Sequence, residues 1–164
     1  MTKVAKNGKL LRGSKSRKGA ALIKRVSNIG IAVRDAATTA DAYCKYFGLK
    51  REKELAVPEA GVRKSILLRV GSNNFLEIIE PSEDDSPTRR FVDRRGEGLF
   101  QVTMVVDRID EEVLRLEKEG AKVMKWTIDK EKDVTVAYVD PKSTSGVVFE
   151  LITEAMLDKW GVER

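Results

Sequence analysis

Apolar residues recur at every second position from Val26 to Val33. Ile29, Ile31 and Val33 share one face, and Asn28, Gly30 and Ala32 share the other, which predicts a β-strand. The period then lengthens. Ala40, Tyr43 and Phe47 fall on one face of a helix over 36–47, and Gly48 is placed to cap it. Strands at 51–56, 62–70 and 74–80 follow, the last two joined by Gly71-Ser72-Asn73, which is turn chemistry. The same order returns further along. A strand at 99–107 precedes a helix at 109–119, which buries Ile109, Val113 and Leu116 and stops at Gly120. Strands at 122–127, 133–139 and 146–153 complete the second set.

The pattern predicts an α+β chain of two βαβββ modules, 24–80 and 98–153. Residues 81–97 form a linker. Within it Ser86-Pro87 supplies an N-cap and a first-turn proline for a short helix over 87–94, and Gly96 and Gly98 end it. Residues 154–164 add a C-terminal helical turn. Residues 1–23, rich in Lys, Gly and Ser and without apolar periodicity, read as a disordered basic arm.

The two modules also repeat in their polar positions. Asn28 and Glu77 are 49 residues apart, as are Gln101 and Glu150, and the two pairs are offset by 73. Two diverged copies of one unit produce this spacing. In the strand pattern all four side chains point away from the helix-packing face. Their neighbours two residues on, Gly30, Ile79, Thr103 and Ile152, are small or apolar. This describes a curved mixed sheet with a concave central cavity and polar groups at its floor, against the plainer reading of four solvent-facing strand positions.

Composition narrows the chemistry. The chain has 164 residues, 41% of them hydrophobic, enough for a real core, and no apolar run of the roughly 18–20 residues a membrane span needs. No apolar segment of signal-peptide type follows the basic start. The single cysteine, Cys44, lies in a helical pattern beside Tyr43 and Phe47 and reads as a buried structural thiol suited to a reducing compartment. An intracellular protein is expected, cytoplasmic or, in a eukaryote, in the mitochondrial matrix. There is no histidine, which removes the commonest metal ligand and the commonest base near neutral pH. Catalysis must then use carboxylates, lysine, tyrosine or the cysteine.

The net charge of +5 comes from one end. Residues 1–25 hold nine Lys or Arg and no acid, leaving 22 basic against 26 acidic residues elsewhere. The arm is open to three readings: a solvated tail, a transit peptide, or a contact with nucleic acid or another anionic partner.

Three segments resemble the vicinal oxygen chelate, or glyoxalase and bleomycin resistance, superfamily, and within it the methylmalonyl-CoA epimerases. Val26-Ser27-Asn28-Ile29-Gly30-Ile31-Ala32-Val33 is similar to that family's opening strand. Glu77-Ile78-Ile79-Glu80-Pro81, Asp85-Ser86-Pro87 and Arg95-Gly96-Glu97-Gly98-Leu99 resemble its central part. Pro141-Lys142-Ser143-Thr144 with Gly146-Val147-Val148-Phe149-Glu150-Leu151 resembles its closing part. The resemblance implies the glyoxalase-like fold, a homodimer, an acyl-CoA substrate, and racemisation at the α-carbon by proton abstraction.

It also implies site residues. The family's metal positions fall on Asn28, Glu77, Gln101 and Glu150, so both histidines are replaced, by Asn28 and Gln101. Its opposed glutamate bases fall on Glu150 and Lys64. Lys64 is then expected to pair with Glu150 or, desolvated, to act as a base. The loop Lys142, Ser143 and Thr144 is expected near the thioester, or as a plain turn. Trp126 and Trp160 are stacking candidates or packing aromatics. A donor set without imidazole implies no tightly bound cofactor, or a weakly held Mg, Mn or Ca ion. Two functions stay open: an epimerase-like isomerase with altered or lost activity, or a non-catalytic ligand-binding or interaction subunit. Losing both histidines and one glutamate predicts little or no exchange of the α-hydrogen of methylmalonyl-CoA.

Overall fold

The computed structural model describes residues 23–129 and 134–162. One eight-stranded sheet runs through it: β1 (Ile23–Ala32), β2 (Lys50–Val57), β3 (Val62–Val70), β4 (Asn74–Pro81), β5 (Gly98–Val106), β6 (Val123–Asp129), β7 (Val134–Val139) and β8 (Val148–Ile152). The strand order is β2-β3-β4-β1-β5-β8-β7-β6. The central strands β1 and β5 run antiparallel, while each pairs in parallel with the last strand of its own module, β4 or β8. The order is symmetric about the β1–β5 seam, as a duplication requires. The registers match as well: Gly30 faces Glu77 in one module, and Thr103 faces Glu150 in the other, at the same offset of 73.

Four helices complete the α+β fold: α1 (Ala36–Phe47), α2 (Pro87–Arg95), α3 (Ile109–Lys118) and α4 (Glu154–Lys159). Local chemistry sets their ends. Asp35 accepts from Thr38 N at 2.9 Å to cap α1, and Gly48 closes it in the left-handed conformation at φ 66°. Ser86 accepts from Arg89 N at 3.1 Å ahead of Pro87, as its sequence predicts. The N-terminus of α1 is further tied to the sheet, because buried Glu80 accepts from Ala36 N at 2.9 Å and pairs with Arg63.

The helices divide the faces of the sheet. α1 packs its Ala36 and Ala40 on Ile66, Leu68 and Ile78. On the opposite face the core splits into two ends. α2 brings Val92 against Ala32, Ile79 and Phe100 at one end of the central strands. α4 brings Met156 and Leu157 against Leu67, Phe75, Val105 and Ile152 at the other. Between these two plugs the concave face stays open.

Several boundaries move from the sequence reading. β1 starts at Ile23, inside the span expected as arm, and the remaining arm residues lie outside those described. The last strand begins at Val148 rather than 146. Ser145 and Gly146 adopt positive φ of 56° and 93°, and Gly146 N donates to Pro141 O at 2.7 Å, so the chain is still turning there. Among the described residues, no helix is long and apolar enough to cross a membrane.

Candidate functional site

The concave face encloses a cavity of about 550 Å³, with Asn28, Glu77, Gln101 and Glu150 all in its lining. Asn28, Gln101 and Glu150 are buried, Glu150 being 6% and Gln101 8% exposed, and Glu77 is partly buried. Strand alternation explains why they converge. Asn28 and Gln101 sit at matching positions on the two central strands, and Glu77 and Glu150 sit on the flanking parallel strands.

The network is closed by amides and hydroxyls. Asn28 Nδ2 donates to Glu77 Oε2 at 3.2 Å, and Ser65 Oγ donates to Glu77 Oε1 at 2.8 Å. Gln101 Nε2 donates to Glu150 Oε2 at 3.3 Å, joined by Thr103 Oγ1 at 2.7 Å, and Tyr138 donates to Glu150 Oε1 at 3.0 Å. The Gln101 amide also favours the Glu77 charge, so it influences both carboxylates. Gly30 permits this geometry: a Cβ there would lie 2.5 Å from Gln101 Cγ. Only glycine lets the Gln101 side chain lie against the strand.

Burial dominates the electrostatics. Removal from water and then the neighbouring Glu77 charge raise the pKa of Glu150 to about 7, against the lowering effect of Thr103 and Tyr138. Glu77 is also raised, chiefly by burial, with Ser65, Asn28 and Gln101 opposing. The Tyr138 phenol is pushed well up by burial and then by the Glu150 charge, so it stays a neutral donor. Two carboxylates whose charges oppose one another in a desolvated site hold a proton between them near neutral pH.

Lys64 does not reach this network. Its Nζ lies 3.6 Å from Glu54 Oε1, and it lowers the pKa of Asp35 at the start of α1. Lys64 lies in regular register with β4 and shares a face with Ile66 and Leu68, which pack on α1, so Ser65 and not Lys64 stands in the cavity wall. The expected pairing of Lys64 with Glu150 is therefore corrected: a hydroxyl on Glu77 occupies that part of the site.

Lys142, Ser143 and Thr144 are also not part of the wall, which at this loop is made by Asp140 and Pro141. Lys142 N donates to Asp140 Oδ1 at 2.8 Å, Ser143 Oγ accepts from Lys122 N at 3.2 Å, and Thr144 Oγ1 donates to Val147 O at 2.5 Å. These groups fold the turn, so the expected substrate contact gives way to the plain-turn alternative. Trp126 and Trp160 do line the cavity, with Met124 and Ile128 beside them and Leu55 and Val57 from β2. Trp126 is 47% exposed, which sets it at the mouth rather than in the core.

Ser65, Thr103 and Tyr138 escape the sequence reading as site residues. A signal for Tyr138 exists in the β7–β8 hairpin, where it stands opposite Glu150.

A divalent ion, which the resemblance implies, does not fit the arrangement. All four carboxylate oxygens already accept from a hydroxyl or an amide nitrogen, and both amides turn nitrogen rather than oxygen toward the carboxylates. Among the described residues, no three His, Cys, Asp or Glu side chains are grouped to hold a metal. Binding would require both amides to turn over.

The chain is similar to several known proteins. YqjC, an uncharacterized protein of Bacillus subtilis strain 168, is 27% identical over 130 residues, covering 79% of this chain and 91% of YqjC. The crystal structure of methylmalonyl-CoA epimerase from Mycobacterium tuberculosis superposes with a TM-score of 0.74 at 24% identity, covering 82% of this chain and 91% of that one. A variant of the Streptomyces coelicolor methylmalonyl-CoA epimerase, bound to 2-nitronate-propionyl-CoA, superposes with a TM-score of 0.74 at 23% identity, covering 81% of this chain and 99% of that one. At these identities the two structures establish the glyoxalase-like fold. Residues 27–138, more than half of the sequence, match the family model itself, and the chain belongs to the Glyoxalase/Bleomycin resistance protein/Dioxygenase superfamily.

Proposed function

We propose that this chain is an epimerase-like isomerase that moves a proton at the α-carbon of an acyl thioester, with Glu150 as the base. The observation that carries the reading is the setting of Glu150: a buried carboxylate at the floor of a 550 Å³ cavity, with a pKa of about 7. A base of that strength is half ionised at neutral pH and matched to a carbon acid better than an exposed glutamate is. The likeness to methylmalonyl-CoA epimerases, one of them holding a propionyl-CoA analogue, supports the substrate class.

In this reading, ionised Glu150 takes the α-proton and the electron pair passes to the thioester oxygen as an enolate. Once protonated, Glu150 no longer needs its donors. The Gln101 amide and the Tyr138 hydroxyl, already held at 3.3 and 3.0 Å from it, are then free to donate to the enolate oxygen. Glu77, whose pKa is also raised, is the second carboxyl of the pair and returns a proton to carbon in the role the sequence placed at Lys64. The competing reading, a non-catalytic binding subunit, draws on the fact that none of the described lining residues is a Lys or Arg that could hold an enolate.

The test is exchange of the α-hydrogens of propionyl-CoA in deuterated water, followed by mass spectrometry, for the wild type and Glu150→Gln. Exchange that falls about 10²–10⁴-fold in Glu150→Gln supports the proposal. Binding of the thioester without exchange overturns it in favour of the binding subunit.

A further inference from the structure

The charge of the cavity wall is one-sided. Glu59, Glu77, Asp84, Asp85, Asp140 and Glu150 line it, and none of the described lining residues is Lys or Arg. The rest of the wall is uncharged: Asn28, Ser65, Ser86, Thr88 and Gln101 are polar, and the others are mostly apolar or aromatic, among them Phe100, Val148 and, along β6, Met124, Trp126 and Ile128. Lys64 is held at Glu54, and Arg90 pairs with Asp85 Oδ2 at 2.9 Å from outside the lining. The donors at the floor are neutral amides and hydroxyls, and each is already engaged by Glu77 or Glu150.

We propose that this cavity accepts acyl groups that carry no carboxylate and turns away their carboxylated analogues. The inference rests on the thioester reading above and names its substrate class. An acyl carboxylate brought to the floor would lose its water and meet two carboxyl groups, with no ammonium or guanidinium to replace that hydration. A methyl group in the same place meets Ile79, Phe100 and Val148 instead. The chain shares the fold of methylmalonyl-CoA epimerases but lines its cavity for an uncharged branch.

Isobutyryl-CoA and methylmalonyl-CoA make a matched pair, differing by methyl for carboxylate, and their common CoA portion cancels in the comparison. The chain's two tryptophans both line the cavity, so their fluorescence reports occupancy. At pH 8, isobutyryl-CoA is expected to bind at least about tenfold more tightly, since like charges brought together in a desolvated contact are strongly unfavourable. The ratio should narrow at pH 5.5, as the floor takes up protons, and in the double variant Glu77→Gln with Glu150→Gln, which removes both charges and keeps the shape. Equal or tighter binding of methylmalonyl-CoA at pH 8 overturns the selectivity while leaving the thioester reading intact. If neither thioester binds, the thioester reading itself fails and the selectivity falls with it.

Discussion

Replacing Glu150 with glutamine should stabilise the protein above neutral pH and leave it unchanged in acid. Glutamine keeps the side-chain shape and can still accept from Thr103 or Tyr138, so the perturbation is confined to the charge. The pKa of Glu150 is raised on folding from 4.5 to about 7, mainly by burial. A raised carboxylate binds its proton more tightly in the folded state. Its contribution is therefore fully present below pH 4.5 and is lost as pH climbs through 7. At about 1.4 kcal/mol per pH unit, the wild type forfeits roughly 3 kcal/mol across that window. The variant keeps the Glu77 titration, which both proteins share, so the difference between the two isolates Glu150. For a domain of this size the difference corresponds to about 6–12 °C in Tm. The assay is urea or thermal unfolding of both proteins from pH 4.5 to 8.5. The two curves should coincide at the acid end and separate steadily to pH 8, the variant being more stable. Parallel curves, or a variant less stable than the wild type at pH 8, would show that Glu150 is not held as a costly buried charge.

Other outcomes follow from the same geometry. Lys64→Ala should leave thioester binding and α-hydrogen exchange within about twofold of wild type, since an exposed pair such as Lys64–Glu54 is worth at most about 1 kcal/mol to stability; a large loss of exchange would restore Lys64 to the site. Tyr138→Phe removes a donor from Glu150 Oε1, so the Glu150 titration should move upward, checked by the pH profile of exchange, and a downward move would contradict the assigned bond. Gly30→Ala forces Gln101 away from the strand and should cost about 1–3 kcal/mol in urea unfolding, with exchange reduced as well; a neutral result would mean the Gln101 side chain is not fixed there. Asp35→Ala should cost about 1 kcal/mol through loss of the α1 cap while leaving the cavity untouched, measured as a lower unfolding midpoint with unchanged thioester affinity.

The duplication was the legible part of the fold. A strict offset of 73 between Asn28 and Gln101, and between Glu77 and Glu150, returns in the structure as matched registers across β1–β4 and β5–β8. Period-two alternation was enough to aim all four into one cavity. The caps were legible too, because Ser86-Pro87 and Gly48 act through backbone chemistry that neighbouring residues determine. Lys64 was assigned from the family resemblance, whereas alternation along β3 puts it with Ile66 and Leu68 on the α1 face. The hydroxyls of Ser65 and Thr103 were invisible for another reason. Strands are rich in Ser and Thr on either face, and only the cross-strand partner distinguishes a site from a surface. The Ser143 and Thr144 hydroxyls carried the opposite error: their family-like motif drew attention, yet their bonds serve the turn.

Glu77 and Glu150 form a coupled pair whose titration is displaced toward neutrality, and carboxyl carbon NMR on protein labelled at glutamate Cδ reads both groups. Signals that vanish in Glu77→Gln and in Glu150→Gln identify the two groups. The account predicts that the Glu150 signal titrates near pH 7, that Glu77 titrates above 4.5, and that removing either charge lowers the midpoint of the other. Both signals titrating at 4.5 or below, each indifferent to the loss of the other, would contradict it.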